Sequence, residues 1–325
     1  MHDRIMTGRR AMLAAAALTP LAAAAQEFAG RPIRLVIPFV AGGATDVIGR
    51  VIAERLGRKL STNVVVENRA GANGNIGAEA VARAEPDGHT LLLATAGVFS
   101  VNPGLYPNLP FSTITDLAAV SKIYDTGNLL VVRNNLPANT LSELVELAKA
   151  EPGRLTFASG GSGSSSHMFG ELFQQTAGLR LSHVPYRSNG PALNDIVAGN
   201  VDMLFDQVPS GSVQALAGRV RPIAVTTPER VSLLPTVMTF AELDMPAMTG
   251  TFWVGLAAPR RTPAAAIAAL NRAVVEVLAE PAVIQRLKGL GADSTPSTPE
   301  AFGQLVAADA ERWARVVRAG NIRPD

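Results

Sequence analysis

Ile33-Arg34-Leu35-Val36-Ile37-Pro38-Phe39-Val40-Ala41-Gly42-Gly43-Ala44-Thr45-Asp46 decides the fold. An apolar run closed by proline leads into a double glycine. Two polar residues, Thr45 and Asp46, then open an amphipathic stretch. Residues 33–38 predict a strand. Residues 45–59 predict a helix, with Val47, Ile48, Val51, Ile52 and Leu56 recurring at helical spacing on one face. Strand, glycine loop and helix in that order open an α/β fold, in which ligands collect at the carboxyl ends of the strands. Gly42 and Gly43 let the backbone approach a guest closely, and the helix start adds free N–H groups and its dipole. A tight turn explains the glycines equally well. For Asp46, capping the helix is the expected role.

The same alternation continues outward. Strands are expected at 63–67 and 90–95, with a helix at 75–84 between them. This order predicts a mostly parallel sheet covered on both faces. A second series follows: strands at 129–133, 155–158, 181–186, 201–205 and 222–226, and helices at 140–150, 165–177 and 191–198. Thr140 with Glu143 three residues on reads as a capping box. Residues 252–257 are strand-like, and helices at 263–278, 281–290 and 299–319 follow without strands of their own. Helices without strands must cover an existing sheet, so the chain is expected to return to its first lobe. It then crosses between lobes near 125–128 and near 240–250, and two crossovers make a hinge. The expected division is 26–127 with 248–325 as the first lobe and 128–247 as the second. About 300 residues exceed what one core organises.

The N-terminus predicts export. Arg4, Arg9 and Arg10 precede an uncharged, alanine-rich run over 11–25 that ends in Ala23-Ala24-Ala25. These are the three parts of a secretory signal, and the run is too short to span a bilayer. Arg9-Arg10 fits a twin-arginine signal as well as an ordinary one. This segment carries three of the 29 basic and one of the 27 acidic residues, so its removal leaves 26 of each. A neutral chain argues against a nucleic-acid partner, which needs a basic stripe. Absence of cysteine excludes disulfides, thiol chemistry and an acylated-cysteine anchor. The expectation is a soluble periplasmic protein without a lipid anchor.

Two further glycine-rich loops follow expected strands. Glu67-Asn68-Arg69-Ala70-Gly71-Ala72-Asn73-Gly74-Asn75-Ile76-Gly77 spaces its glycines by three and fails the dinucleotide pattern. It can still form an amide nest for an anion. Arg69 either adds charge there or pairs with Glu67. Ser159-Gly160-Gly161-Ser162-Gly163-Ser164-Ser165-Ser166-His167 offers hydroxyls and glycine amides together, or else a flexible linker. Enzyme signatures are weak. Gly160-Gly161-Ser162-Gly163-Ser164 lacks the last glycine of a nucleophile elbow. There is no phosphate-loop motif, and His89, His167 and His183 lack zinc spacing. Asp202 and Asp206 read as solvated carboxylates at a strand edge more readily than as an acid/base pair. Strand-end amides and hydroxyls from two lobes can hold a carboxylate without a buried arginine, each charge-assisted bond contributing roughly 1.5–3 kcal/mol.

The chain resembles the substrate-binding receptors of tripartite tricarboxylate transporters, the Bug-type receptors. The resemblance lies in Arg31-Pro32-Ile33-Arg34-Leu35-Val36-Ile37-Pro38-Phe39, the 67–77 loop, Ser100-Val101-Asn102-Pro103-Gly104-Leu105-Tyr106, Val184-Pro185-Tyr186-Arg187, Leu204-Phe205-Asp206 and Phe252-Trp253-Val254-Gly255-Leu256-Ala257-Ala258-Pro259. It implies an α/β, two-lobed, periplasmic-binding-protein-like (type II) fold with a ligand cleft between the lobes. It implies a receptor with no catalytic residue, cofactor or metal. Hinge closure would capture a small carboxylate, whether a di- or tricarboxylate, an acidic amino acid or an aromatic acid. The receptor would deliver it to the membrane subunits of a transporter, or its closed form would dock on a sensor protein. The implied contacts are Phe39, Gly42, Gly43 and Thr45, then Asn75, then Thr95 and Ala96, and from the second lobe Gly161, Ser162, Gly163, Ser164, Tyr186 and Asp206. Ala41 replaces a frequent proline and Ser188 a frequent glycine, so ligand identity does not transfer from a relative. The competing expectation is a secreted α/β hydrolase or transferase working through Ser162.

Overall fold

The computed structural model describes Phe28 and residues 30–42, 44–290 and 292–324. The expected signal segment and Gly43 lie outside the described residues. Two separate sheets organise the chain. The first is built from β1 (Ile33–Ile37), β2 (Val64–Asn68), β3 (Thr90–Thr95), β4 (Leu117–Thr126), β10 (Phe252–Pro259) and the short β11 (Asp293–Ser294), in the order β11-β4-β10-β3-β1-β2. The second holds β5 (Asn128–Val132), β6 (Thr156–Ser159), β7 (Ser182–Pro185), β8 (Met203–Gln207) and β9 (Arg221–Val225), in the order β7-β6-β8-β5-β9. The chain therefore leaves the first sheet at Gly127 and rejoins it after β9. The mixed α/β, two-lobed architecture expected from the sequence is the one observed.

The helices are α1 (Ala44–Lys59), α2 (Asn75–Ala82), α3 (Asn102–Leu105), α4 (Leu141–Ala150), α5 (Ser165–Ala177), α6 (Asn189–Ala198), α7 (Val208–Leu216), α8 (Ala264–Leu278), α9 (Pro281–Gly289) and α10 (Pro299–Ala319). α4 starts as its sequence dictates. Thr140 Oγ1 accepts from the Glu143 amide at 3.2 Å, while Glu143 reaches back to the Asn139 amide at 2.6 Å rather than to Thr140.

The sheets are more mixed than the alternation of strands and helices predicts. β1, β2 and β3 are parallel, but β10 runs antiparallel to both β3 and β4. In the second sheet β6, β7 and β8 are parallel, and β5 is antiparallel to β8 and β9. The cause is the double crossing: a strand that enters from the other lobe, without a crossover helix, has no need to be parallel. β4 was invisible because Ala118, Ala119, Lys122 and Asp125 dilute its apolar pattern. α3 and β11 are too short to carry a period, and Pro209, Ser210 and Gly211 interrupt the pattern of α7.

Both faces of each sheet are covered, as the strands show residue by residue. Ile33, Leu35 and Ile37 face one core, with Ile48, Ile52 and Leu56 of α1, while Val36 faces the other. Leu129 and Val131 likewise face one side of β5 and Leu130 and Val132 the opposite side. One apolar cluster runs without interruption from the first lobe into the second. Its bridge is α10. Trp313 packs edge-on against Phe169 of α5, 5.5 Å between centroids, and lies 5.4 Å from Phe252. Gln175 of α5 donates to the Val316 carbonyl at 3.0 Å.

At the crossing the two connections lie side by side. The Thr226 amide donates to the Asn128 carbonyl at 2.9 Å, and the Asn128 amide to Thr226 Oγ1 at 3.0 Å. The Gly250 amide closes onto the Thr226 carbonyl at 2.8 Å.

Candidate functional site

Because β1, β2 and β3 run in one direction, their carboxyl ends share one edge of the first lobe. The ends of β6, β7 and β8 share one edge of the second. The glycine-rich loops leave from these edges.

In the first loop, Asp46 is buried and serves as an organiser. Its carboxylate accepts from the Gly42 amide at 2.9 Å, from Arg50 Nε at 3.0 Å and from Asn68 Nδ2 at 2.9 Å. The Arg50 bond, above all, lowers its pKa to about 2, with help from the Gly42 and Asn68 donors. Asn68 Nδ2 also lies 3.1 Å from the Phe39 carbonyl. The loop is thus tied both to the helix that follows it and to the end of β2. Phe39 and Thr45 are half-buried, and Gly42 is exposed. The Thr45 side chain bonds the hydroxyl of buried Tyr124, whose pKa burial pushes up to about 12.

The second loop carries a run of left-handed backbone. Gly71, Ala72, Asn73 and Gly74 have φ of 129°, 45°, 50° and 90°. Its two non-glycine members, Ala72 and Asn73, are costly there, at about 1–3 kcal/mol each, and persist only where their surroundings enforce it. Three asparagines do so here. Asn102 Nδ2 donates to Asn75 Oδ1 at 2.7 Å and to the Asn73 carbonyl at 3.0 Å, and Asn73 Nδ2 donates to Asn102 Oδ1 at 2.8 Å. Asn75 is therefore buried and engaged with Asn102. Arg69 pairs with Glu67, as one of its two readings anticipated. After β3, Thr95 Oγ1 accepts weakly from the Val98 amide at 3.4 Å, and buried Ala96 leads into a π-turn over Gly97–Val101. Turns of this kind concentrate at functional sites.

The serine-rich loop differs most from expectation. Its amides were expected to point at a guest, yet four of them are engaged within the loop and its own helix. Gly160 N donates to Ser166 Oγ at 2.9 Å, Gly161 N to Ser159 Oγ at 3.1 Å, Gly163 N to His167 Nδ1 at 3.2 Å and Ser164 N to the Gly161 carbonyl at 3.1 Å. Ser164 also caps α5, accepting from His167 N at 3.3 Å. Ser162 is half-buried between these glycines. The loop is a fixed turn and no linker.

Two residues carried over as contacts near the cleft have hydrogen-bond partners within the second lobe. Tyr186 is half-buried and donates its hydroxyl to Asp195 of α6 at 2.5 Å. Asp206 is fully buried, unlike the solvated strand-edge carboxylate its sequence suggested. It accepts from Asn189 Nδ2 at 2.9 Å and Ser210 Oγ at 2.5 Å. Burial raises its pKa, and those donors oppose the rise. Its partner Asn189 accepts from Ser166 Oγ at 2.9 Å, so Asp206 reaches the serine-rich loop through a relay. Asp202 bonds Arg133 Nε at 2.8 Å and the Thr156 amide at 2.8 Å, a structural role.

The loops of the two lobes meet. A methyl placed on Gly97 would lie 3.8 Å from the Gly163 carbonyl. One on Gly163, whose φ is 79°, would lie 2.9 Å from Asn73 Nδ2 and 3.0 Å from Leu105 Cδ2. The second and third loops of the first lobe thus face Gly163 directly, with Phe39, Gly42 and Thr45 on the adjoining strand end. Asn102 joins this set, and the sequence marked it only as part of the Ser100–Tyr106 stretch that carries the family resemblance. Among the described residues there is no cluster of three or more metal-ligating side chains, and no helix is long and apolar enough to cross a membrane.

Residues 48–322 match the model of the tripartite tricarboxylate transporter family receptor, TctC. The chain is 36% identical over 295 residues to the protein BugT of Bordetella pertussis, covering 90% of each. It superposes with a TM-score of 0.81 and 32% identity on the R. palustris protein Rpa4515, solved with adipate, covering 92% of this chain and 100% of that one. It superposes with a TM-score of 0.78 and 33% identity on MatC from Rhodopseudomonas palustris, solved with bound malate, covering 89% and 100%. With two sheets, paired strand-end loops and matches of this extent, the chain belongs to the tripartite tricarboxylate transporter receptor family of periplasmic solute-binding proteins, the Bug-type receptors.

Proposed function

We propose that this protein captures a small carboxylate between its lobes in the periplasm and hands it to the membrane subunits of a tripartite transporter. The observation that carries this reading is the approach of Gly163 to Asn73 and Gly97 across the lobe boundary. Two lobes joined by paired connections and bridged by α10, with their donor-rich loops in contact, have the geometry of a clamp. The relatives solved with adipate and malate support a carboxylate guest. The signal-like residues 1–25 support export. The lobes are then 26–127 with 248–325, and 128–247. The first-lobe contacts are Phe39, Gly42, Gly43, Thr45, Asn75, Thr95 and Ala96. The second lobe contributes Gly161, Ser162, Gly163 and Ser164, with Tyr186 and Asp206 acting from behind them.

The protein acts without catalysis. A hydrolase built on Ser162 needs a free imidazole base, and His167 Nδ1 is engaged with the Gly163 amide. A thermal-shift panel tests the reading: adipate, malate, a tricarboxylate, an acidic amino acid and an aromatic acid, each beside its neutral amide. A matching acid at a hundred times its Kd raises the midpoint by about 5 °C, and its amide raises it much less. Equal shifts for acids and amides, or no shift with any acid, overturn the proposal.

A further inference from the structure

Beneath the serine-rich loop two imidazoles are stacked. His167 and His183 lie 4.0 Å apart between centroids with an interplanar angle of 7°, and Phe157 stacks on His183 at 4.7 Å. His167 is buried, and its Nδ1 accepts the Gly163 amide at 3.2 Å. An N–H can donate only to an unprotonated nitrogen, so this bond exists only while His167 is neutral with its proton on Nε2. His183 Nε2 lies 2.6 Å from Ser159 Oγ, the oxygen that accepts the Gly161 amide at 3.1 Å. Both rings therefore support the turn that presents Gly163 to Asn73 and Gly97.

The groups that face the stack are few. Glu171 Oε1, one helical turn along α5, stands 3.7 Å from His167 Nε2. It is itself held by Gln174 Nε2 at 3.1 Å. The parallel His183 ring covers one face of His167, and Phe157 on β6 adds no charged group. Of the first-lobe side chains beside Gly163, Val101 and Leu105 are apolar and Asn73 is uncharged.

We propose that His167 is the positioning residue of the serine-rich loop and that its protonation releases Gly163, opening the clamp. This inference rests on the proposed carboxylate function only in its second half. The loop-formed state requires neutral His167. Affinity is therefore full while the ring is neutral and falls once a drop in pH protonates it, by up to about tenfold per pH unit. Capture is accompanied by release of a proton from any molecule that starts protonated.

The deciding experiment needs no guest. Histidine-labelled and amide-labelled protein is titrated from pH 8 to pH 5 by NMR. The expected result is that the Gly163 amide resonance moves with the His167 ring nitrogens along one curve, and that Glu171→Gln shifts this curve to lower pH. A His167 that titrates while Gly163 stays fixed, or that stays neutral down to pH 5, overturns the proposal. Calorimetry with adipate and malate reads the second half. Wild type is expected to bind at least about tenfold more weakly at pH 5 than at pH 8, while His167→Gln, which keeps an acceptor but does not titrate, is expected to keep only the smaller dependence set by the acids' own ionisation. A wild type whose profile matches that of His167→Gln overturns the coupling. Binding of neither acid at any pH counts against the function and leaves the NMR result to judge the switch.

Discussion

Asp46 ties together more of the candidate site than any other charged residue described above. It holds Gly42, Arg50 and Asn68 at once, and through Asn68 it reaches the Phe39 carbonyl. Replacing it with alanine takes the acceptor from the Gly42 amide and one partner each from Arg50 and Asn68. Asp46→Ala is expected to lose about 2–3 kcal/mol in denaturant unfolding. Its folded pKa of about 2 lies below the ordinary 3.8, so its stabilisation is complete above pH 4 and is lost as pH falls toward 2. Asp46→Asn should therefore flatten stability across that window, which acid titration followed by circular dichroism measures. Asp206 acts at the same scale but through intermediaries. Asp206→Ala should cost about 2–4 kcal/mol, because Asn189 and Ser210 lose their acceptor. Sequence alone placed Asp46 at the start of a helix and Asp206 on a strand edge. Whether each faces a guest or a buried donor is fixed by partners 17 to 22 positions away in the chain. Local pattern carries no such information, and the same holds for Asn102, which locks two asparagines 27 and 29 positions back.

Elements with a clear period were legible from their own residues. α5 and α10 are found at the bounds their sequence indicates, 165–177 and 299–319, each opened by a hydroxyl cap at Ser164 and Thr298. What the pattern of α10 does not convey is that it serves both lobes. Its apolar stripe includes Phe302 against Trp253, at 4.9 Å between centroids, and Trp313 against Phe169 of the second lobe. The Trp313 indole nitrogen has no hydrogen-bond partner among the described residues. Trp313→Phe should therefore stay within about 1.5 kcal/mol of wild type, whereas Trp313→Ala should lose about 3–5 kcal/mol. Chemical denaturation of the two variants separates packing from polarity. A loss for phenylalanine as large as for alanine would show that the indole, rather than its apolar bulk, makes the bridge.

At the scale of the molecule, β10 joins what the chain separates. It enters between β3 and β4 after the whole second lobe has been traced. Gly255 marks how tightly it fits, since an added Cβ would stand 2.7 Å from the Ser121 carbonyl and 2.3 Å from the Phe302 ring. Gly255→Ala is expected to destabilise the first lobe by about 1–3 kcal/mol or more, lowering the thermal midpoint. The two-lobe plan was visible in the sequence because helices after residue 263 lacked strands to cover. The antiparallel entry of β10 was not, since orientation depends on where a strand arrives from.

That insertion sets an order of events. A ribosome delivers β3 and β4 long before β10, so a growing chain holds two unjoined strand edges in its first lobe until residue 259 has been made. Long-range pairing of this kind is slow. The growing chain consequently lacks the strand that joins β3 to β4 through most of its synthesis.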